Sequence, residues 1–314
     1  MKLNQAIALF TEDYSELTAR TYRTGLRRFM GWMRETAMPV TSIEDFDPKW
    51  VIPFARGLKR EGLSPRSIGT YVVAVVQFLK WLKREKLSSV SAESLFELGE
   101  QVKSWNKKNT ARTLPRLPKE KAVVAALEMA HEIDTKDPRL HLYHLRNMAL
   151  VELLSSTGCR ISEAAKLKRN DLNPDKMTAW VREGKGRKDR EIVFASEESW
   201  EFVQAYLTER DKLGFTAENE PVFSRHDRDA HKLKQVLPMT TSSMRVAWNR
   251  LLKQAGTEHF TPHQLRHRAG TAFLRQTGNL ELVRQYLGHA DISTTANTYT
   301  HLDSDDLIKA LRGG

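Results

Sequence analysis

Cysteine is nearly absent from this 314-residue sequence, which contains only Cys159. A single thiol cannot form a disulfide within the chain, and this is typical of proteins from a reducing compartment. No apolar run is long enough to cross a membrane, and the start of the sequence lacks the apolar segment of a secretory signal. We therefore expect a soluble cytoplasmic protein with no membrane partner.

Acidic residues are also in short supply relative to basic ones. The chain has 39 Asp and Glu against 50 Lys and Arg, giving a net charge of +11 and a pI near 9.7. Residues 1–110 carry +6 (18 basic, 12 acidic) and the remainder carries +5 (32 basic, 27 acidic). An excess in both halves favours a long polyanion, DNA or RNA, as the partner. Charge alone leaves the alternative open, because many basic proteins bind no nucleic acid.

The first third of the chain has the periodicity of helices. Residues 15–35 form an amphipathic pattern, with the apolar face made of Tyr22, Leu26, Phe29, Met30 and Met33. A second long helix is predicted from Ser64-Pro65, an N-cap followed by proline at the first helical position, to about residue 86. Shorter helices are predicted over 48–61 and 91–104. Together they predict a compact helical bundle.

The outer faces of these helices are basic. Residues 20–34 carry five arginines opposite the apolar face, and arginine is well suited to contact with phosphate. A face that is merely solvated is the alternative. The predicted DNA-contacting residues are Arg23, Arg27, Arg28, Lys83, Arg84, Lys107, Lys108 and Arg112.

A stretch without hydrophobic periodicity divides the chain. Residues 104–119 contain two prolines and several basic residues, which is typical of a linker. We predict a helical DNA-binding domain over 1–105, a basic linker over 106–118 and a second domain over 119–314. The linker either follows a DNA backbone or is a solvated tether.

The second domain is predicted to be mainly helical with a small β-hairpin. Helices are expected over 119–132 and 138–157, the latter ending at Gly158. Residues 177–194 change to a strand-like period around a glycine-containing polar stretch, which predicts a hairpin with Lys185 at its tip. Helices resume over 196–213, 240–255, 262–277 and 279–287.

Chemically versatile side chains are concentrated between residues 261 and 302. Thr261 is suited to cap a helix that begins at the next residue. Offsets of three and four then place His263, Arg266 and His267 on one face of that helix. His289 and Tyr299 follow after a Gly-His turn. The stretch predicts a site that binds a phosphate and presents a phenol to it.

Each candidate also has an unremarkable explanation when taken singly. Arg160 could form a surface ion pair with Glu163, and Lys185 could be an ordinary loop lysine. His263 and His267, at positions i and i+4, could bind zinc, but neither cysteine nor an obvious acidic ligand lies near them in the sequence. We therefore predict no metal site.

Taken in order, the segments resemble the motifs of the tyrosine recombinase/integrase family. The matching segments are TGCRISE (157–163), GKG (184–186), HQLRH (263–267), LGH (287–289) and TTANTY (294–299). The helical first domain also resembles the family's SAM-like core-binding domain, so the resemblance covers nearly the whole chain. It is greatest for the Xer-type enzymes and the small phage or transposon integrases.

The resemblance implies a reaction that needs no cofactor. Tyr299 would attack a DNA phosphodiester, forming a 3′-phosphotyrosyl link and releasing a 5′-hydroxyl that later attacks back. Arg160 and Arg266 would bind the phosphate oxygens and stabilise the transition state. Lys185 would protonate the departing 5′-oxygen.

Four further residues receive supporting roles from the same resemblance. His263 would act as general base or acid near the tyrosine, and His289 would donate a hydrogen bond to the phosphate. Glu163 would orient Arg160 or a histidine from outside the reacting atoms. His267 is interpreted as structural.

The C-terminal tail, from about residue 303, has a small apolar stripe formed by Leu307, Ile308 and Leu311. The resemblance implies that it docks on a neighbouring protomer of a homotetramer that holds two double-stranded DNA duplexes, while burial against its own protomer is the alternative. The implied strand exchange proceeds through a Holliday junction, and the implied location is the nucleoid.

Two other functions share parts of this pattern. A type IB topoisomerase-like enzyme would perform the same chemistry without bringing two duplexes together. A non-catalytic DNA-binding protein would keep only the fold. The complete set of predicted catalytic residues argues against the second of these.

Overall fold

The computed structural model describes residues 1–36, 40, 42–109, 117–132, 138–182, 189–226, 236–289 and 291–299. The chain divides into two compact units, Met1–Thr113 and Leu114–Gly314. Each unit has its own hydrophobic core. No helix in the described residues is long and apolar enough to cross a membrane.

The first unit is helical, as predicted. Its elements are α1 (Leu3–Glu12), α2 (Glu16–Glu35), a 3₁₀ turn (Pro48–Trp50), α3 (Val51–Arg60), α4 (Pro65–Arg84) and α5 (Ala92–Asn109). Ser15 and Ser64 cap α2 and α4 by accepting backbone hydrogen bonds from Thr18 and Ser67. The core is rich in aromatic rings that meet edge to face, including Phe10, Phe29, Phe46, Phe54 and Phe78.

Two features of this unit differ from the sequence analysis. Helix α1 was not predicted. Helix α5 continues to Asn109, so residues 106–109 are helical and not part of a linker. Val102 and Trp105 pack against the core, and the Asn109 side chain donates to the carbonyl of Trp105 at 2.8 Å. These contacts extend the helix past the point where its sequence becomes strongly polar.

The second unit is mainly helical around a small antiparallel sheet. Its helices are α6 (Glu120–His131), α7 (Pro138–Thr157), α8 (Ile161–Ala164), α9 (Glu197–Asp211), α10 (Thr241–Gln254), α11 (Pro262–Thr277), α12 (Leu280–Leu287) and α13 (Ile292–Tyr299). The strands are β1 (Leu172–Asn173), β2 (Thr178–Val181) and β3 (Arg190–Val193), in the order β1-β2-β3. The two strands of the predicted hairpin are confirmed, and β1 is an addition of two residues.

Helix α7 runs through the core of this unit and ends at the candidate site. It packs against α6, α9 and α11, and its buried side chains include Leu145, Ala149, Leu153 and Leu154. Burial on several sides explains why its sequence has little polar periodicity in its second half. The helix ends where Gly158 adopts a left-handed φ of +59°, which directs the chain into α8.

Candidate active site

The start of α11 is fixed by a capping box. The Oγ1 of Thr261 accepts from the backbone of Gln264 at 3.2 Å, and the Gln264 side chain accepts from the backbone of Thr261 at 2.9 Å. The rings of His263 and His267 lie 4.4 Å apart, edge to face. His263 is exposed and His267 is buried. The structure therefore places His263 and His267 on the same face of α11, as the sequence predicts.

Arg266 joins three segments of the chain. Its side chain is buried, with 2% of the residue exposed. Its Nη1 donates to the carbonyl of Gly158 at 2.8 Å, and its Nη2 donates to the carbonyl of Leu287. Because these carbonyls follow α7 and end α12, the guanidinium holds the Gly158 turn and the α12 terminus against α11.

Arg160 stands at the N-terminus of α8 and is fixed by Glu163. Its backbone N donates to Glu163 Oε2 at 2.7 Å, and its Nη1 donates to Oε1 at 2.6 Å. The Glu163 carboxylate is buried, whereas the Arg160 side chain remains 26% exposed. The ion pair between Arg160 and Glu163 is therefore present, as the alternative supposed, but its carboxylate is buried and not at the surface. The carboxylate lies behind the arginine and can orient its guanidinium.

Glu163 has a second arginine partner, Arg190 on β3. Arg190 Nη1 lies 3.2 Å from Oε1 and its Nη2 lies 2.9 Å from Oε2. One buried carboxylate thus connects Arg160 to the sheet. Charge-assisted pairs of this geometry are among the stronger hydrogen bonds in proteins.

His289 lies in the turn after α12. Gly288 ends that helix with a left-handed φ of +64°, and Arg284 Nη1 donates to the carbonyl of His289 at 2.9 Å. The Nδ1 of His289 lies 2.9 Å from Oγ1 of Thr295, a buried residue of α13. The turn is therefore connected to the helix whose last residue is Tyr299.

Burial and neighbouring cations keep two histidines neutral. Burial, followed by Arg266, Arg160, His267 and Arg190, lowers the pKa of His289 to about 4. Burial, His263 and Arg266 likewise lower the pKa of His267 to about 4. When the Thr295 hydroxyl donates to Nδ1 of neutral His289, the ring proton lies on Nε2 and can be donated to an anion.

Cys159 lies inside the same turn and is inert. It is buried, and burial raises the pKa of its thiol to about 11. A thiol of this pKa is protonated at neutral pH and is a poor nucleophile. The one cysteine of the chain therefore packs as a small apolar residue beside Arg160.

Some predicted site residues lie outside the described part of the chain. These are Lys185, Arg112 and the tail from residue 300 onward. The backbone of Tyr299 belongs to α13, whereas its side chain is outside the description. His263 and His267 have the spacing of a zinc-binding pair. Among the described residues, however, no three His, Cys, Asp or Glu side chains come together to hold a metal ion.

Other tyrosines have the packing roles predicted for them. The hydroxyl of Tyr286 donates to the carbonyl of Ser156 at 2.9 Å, and its ring lies 4.9 Å from that of Phe273. Tyr22 and Tyr71 pack against the core of the first unit.

The basic residues of the first unit lie on its surface, and DNA contact by them stays a prediction. Arg23 and Arg27, with Arg20, line a groove of about 450 Å³ together with Asn4, Ile7, Glu16 and Met30. Arg28 pairs with Glu61 at 3.0 Å and Arg84 with Glu85 at 2.9 Å. Lys83 donates to the carbonyl of Val90, and Lys107 and Lys108 are exposed on the last turn of α5.

Three residues of the site were not found from the sequence: Arg190, Arg284 and Thr295. A signal for Arg190 exists, because the period of two puts it on the same side of β3 as the buried Ile192. A cation at a core-facing strand position requires a partner. Arg284 and Thr295 contact His289 through a backbone carbonyl and a ring nitrogen, and no sequence pattern reveals such contacts.

The described residues are arranged so that they can bind an anion through fixed donors. Arg160 has a partly exposed guanidinium, and the buried guanidinium of Arg266 adds positive charge. Neutral His289 can add one N–H donor. Such a set suits the oxygens of a phosphate group, since planar guanidinium groups match them in geometry. Fixed donors need no rearrangement when negative charge develops in a reaction.

Comparison with known proteins gives the chain a place among DNA-processing enzymes. Residues 120–305 match the phage integrase family, and residues 7–86 match the N-terminal SAM-like domain of phage integrases. Tyrosine recombinase XerC of Bacillus pumilus is 30% identical over 299 residues, covering 95% of this chain and 90% of the relative. Tyrosine recombinase XerD of Listeria innocua is 29% identical over 288 residues, covering 91% and 88%.

Solved structures show the same fold. The Tn1549 transposon integrase in complex with a circular intermediate DNA has a TM-score of 0.71 at 17% identity, with 100% of both chains covered. The XerH site-specific recombinase bound to a palindromic difH substrate has a TM-score of 0.67 at 21% identity, covering 94% of this chain and 79% of that one. The predicted fold class, a helical SAM-like domain followed by a mainly helical catalytic domain with a small sheet, is confirmed.

Proposed function

The chain belongs to the phage integrase family, and on this premise we propose that it is a site-specific recombinase that cleaves and rejoins DNA through a covalent tyrosyl link. The observation that carries the proposal is the donor set around His289: Arg160, Arg266 and the imidazole itself converge at the turn connected to α13, the helix that ends at Tyr299. A phosphate bound there would face the segment that carries the phenol.

The proposed reaction conserves the energy of the phosphodiester bond in a covalent link to the protein. The Oη of Tyr299 attacks the phosphorus, its proton passes to a base, and the bond from phosphorus to the 5′-oxygen breaks. Lys185 gives a proton to that departing oxygen, leaving a 3′-phosphotyrosine and a 5′-hydroxyl. In the second step, a 5′-hydroxyl from a partner strand attacks the same phosphorus and releases the tyrosine. One such exchange between two duplexes produces a Holliday junction.

The described side chains would lower the barrier in different ways. Arg160, held by Glu163, binds nonbridging oxygens of the phosphate from its exposed side. Arg266 contributes charge while it maintains the shape of the site. His289 donates from Nε2, and exposed His263 is the proposed base or acid for the tyrosine proton.

The substrate in this proposal is double-stranded DNA. The exposed basic residues of the first unit would contact its phosphates and add affinity that depends on salt. Such contacts position the protein, whereas contacts with base edges select the sequence. A DNA substrate places the enzyme at the nucleoid in the cytoplasm.

A covalent-adduct assay tests the function directly. The wild-type protein is incubated with a random library of nicked duplexes in EDTA, and adducts that survive denaturation are isolated and sequenced. We expect adducts to form without a metal ion, because the proposed donors are side chains and the bond energy is conserved. We expect them at one recurrent sequence, because the proposed enzyme is site-specific. Adducts that appear only with a divalent cation would contradict the mechanism.

A plasmid assay with the selected sequence distinguishes recombination from simple strand passage. Two matched copies of the selected sequence on one plasmid should be recombined by the enzyme. Relaxation of supercoiled DNA with no recombinant product would instead indicate a topoisomerase-like activity.

We further propose that the active form is a homotetramer on two duplexes, with the tail from about residue 303 docked on a neighbouring protomer. Deletion of residues 304–314 is expected to reduce recombination far more than adduct formation, because cleavage within a protomer does not require coupling between protomers. Both products are measured on the selected sequence. Recombination at the wild-type rate would contradict the proposed role of the tail.

A further inference from the structure

Arg190 is a largely buried cation that contacts the candidate site at two points. It opens β3, opposite Val181 of β2, and its side chain is only 12% exposed. On the same side of the strand, Ile192 is buried in the core. Charged side chains seldom occupy such positions unless they are paired, so the contacts of Arg190 indicate why it is there.

The first contact is with Glu163, the carboxylate that holds Arg160. Both Nη atoms of Arg190 reach this carboxylate, at 3.2 and 2.9 Å, while its oxygens also accept from the backbone and side chain of Arg160. A carboxylate bound on both oxygens by the Arg190 guanidinium, and on Oε1 also by that of Arg160, cannot rotate without losing charge-assisted hydrogen bonds. Arg190 therefore fixes the acceptor that orients Arg160.

The second contact is with Gly288, the residue before His289. A Cβ added to Gly288 would lie 2.4 Å from Nε and 2.7 Å from Cζ of Arg190. The guanidinium therefore lies against the backbone of this turn, at a distance that only glycine permits. The same side chain touches the element that carries His289 and the carboxylate that orients Arg160.

We propose that Arg190 is a positioning residue for the transesterification, which acts on Arg160 through Glu163 and on His289 through Gly288. The inference rests on the proposed function and deepens it. A purely structural ion pair would stabilise the fold and leave the chemical step of the folded protein unchanged. A positioning residue changes the rate of that step in protein that is folded and bound to DNA.

The first test compares Arg190→Met with Arg190→Lys on a nicked duplex carrying the selected sequence. For Arg190→Met we expect single-turnover adduct formation to slow by about 10- to 100-fold, the cost of a small misplacement of reacting groups. DNA affinity, measured at the same salt, should be unchanged. Arg190→Lys, which keeps the charge, should recover part of the rate. An Arg190→Met protein that is folded, binds DNA and cleaves at the wild-type rate would overturn the inference.

A double-mutant cycle tests the path through Glu163. If Arg190 acts through this carboxylate, Arg190→Met combined with Glu163→Gln should be no slower than the slower single variant. Rate losses that multiply would show that the two residues act independently, which contradicts the proposed path.

The glycine contact has a matched control in the same protein. Gly288 and Gly278 both end helices with φ of +64°, but a Cβ at Gly278 would meet nothing within 4 Å. Gly288→Ala and Gly278→Ala therefore both place a side chain at a left-handed φ, although their ψ values differ (48° and 6°), and only the first displaces Arg190. We expect slower cleavage for Gly288→Ala and wild-type cleavage for Gly278→Ala at equal folded fractions. Equal rates for the two variants would overturn the contact's role.

A substrate with sulfur at the bridging 5′ position distinguishes Arg190 from the leaving-group acid. A thiolate departs without protonation, so this substrate would restore the rate of a variant that is defective only in protonation. The Arg190→Met defect should persist on it, and full restoration would contradict positioning of the phosphate-binding groups. If the wild-type protein itself forms no adduct, the proposed function fails, and that outcome is distinct from each result above.

Discussion

Replacing Tyr299 by phenylalanine is expected to abolish the covalent protein–DNA adduct while DNA affinity is retained. The substitution removes one hydroxyl and keeps the ring, so it removes the proposed nucleophile with the smallest change in side-chain shape. Because phenylalanine has no hydroxyl to attack the phosphorus, no adduct should be detectable, a loss at least as large as the roughly 10⁶-fold seen when a hydrolase loses its nucleophile. The measurement is single-turnover adduct formation on the selected duplex, with DNA affinity determined in parallel.

Tyr286→Phe is the matched control for this variant. It removes a hydroxyl that donates to the carbonyl of Ser156, which should cost about 1 kcal/mol of stability. Adduct formation by folded Tyr286→Phe should remain within about tenfold of wild type, because a local displacement that costs no more than the lost hydrogen bond would raise the barrier by less than about 1.4 kcal/mol. If Tyr299→Phe formed the adduct and Tyr286→Phe did not, the nucleophile would be Tyr286 and not Tyr299.

Replacing Arg160 by alanine is expected to slow cleavage by about 10²- to 10³-fold or more, the usual cost of removing a fixed donor from a developing negative charge. Arg160 is the partly exposed guanidinium of the site, so it can reach a phosphate without rearrangement. Arg160→Lys should recover only part of the loss, because an ammonium keeps the charge and lacks the planar fork. Single-turnover rates of the three proteins give the comparison.

Arg268→Ala provides the control for loss of an arginine–carboxylate pair. Arg268 lies on α11 two residues after Arg266 and pairs with Glu120 at the surface. Surface pairs of this kind contribute about 0–1 kcal/mol, and cleavage by Arg268→Ala should match wild type. If Arg160→Ala and Arg268→Ala slowed cleavage equally, the assignment of Arg160 to the phosphate would be wrong.

Much of the fold could be predicted because local signals and tertiary structure agree. Ser15, Ser64 and Thr261 cap the helices that their sequences predict. The end of α5 could not be predicted, because the packing of Trp105 against the core and the hydrogen bond that Lys59 donates to Asn109 involve distant parts of the unit. Tertiary contacts of this kind override local composition.

Some members of the candidate site were predictable from the sequence, but the contacts that connect them were not. Arg160, Arg266 and His289 were selected by type and order, and the structure brings them together. Their electrostatic state depends on burial, which lowers the pKa of His289 and His267 to about 4, and no single-residue pattern reports burial of a histidine. Arg190 was missed because its partner, Glu163, lies 27 residues earlier in the chain.

The Glu163 carboxylate, which is shared by Arg160 and Arg190, sets the net charge of the phosphate-binding group. Arg160, Arg190, Arg266 and Glu163 together carry +2, from three positive charges and one negative. A DNA phosphodiester brings one negative charge, and the pentacoordinate species formed by phenolate attack carries two. Ground-state DNA therefore leaves one positive charge unmatched, whereas the species at the top of the barrier neutralises the group completely. These four charges therefore favour the reacting state over the resting backbone, and the positive charge of Lys185, the proposed acid, adds to that preference.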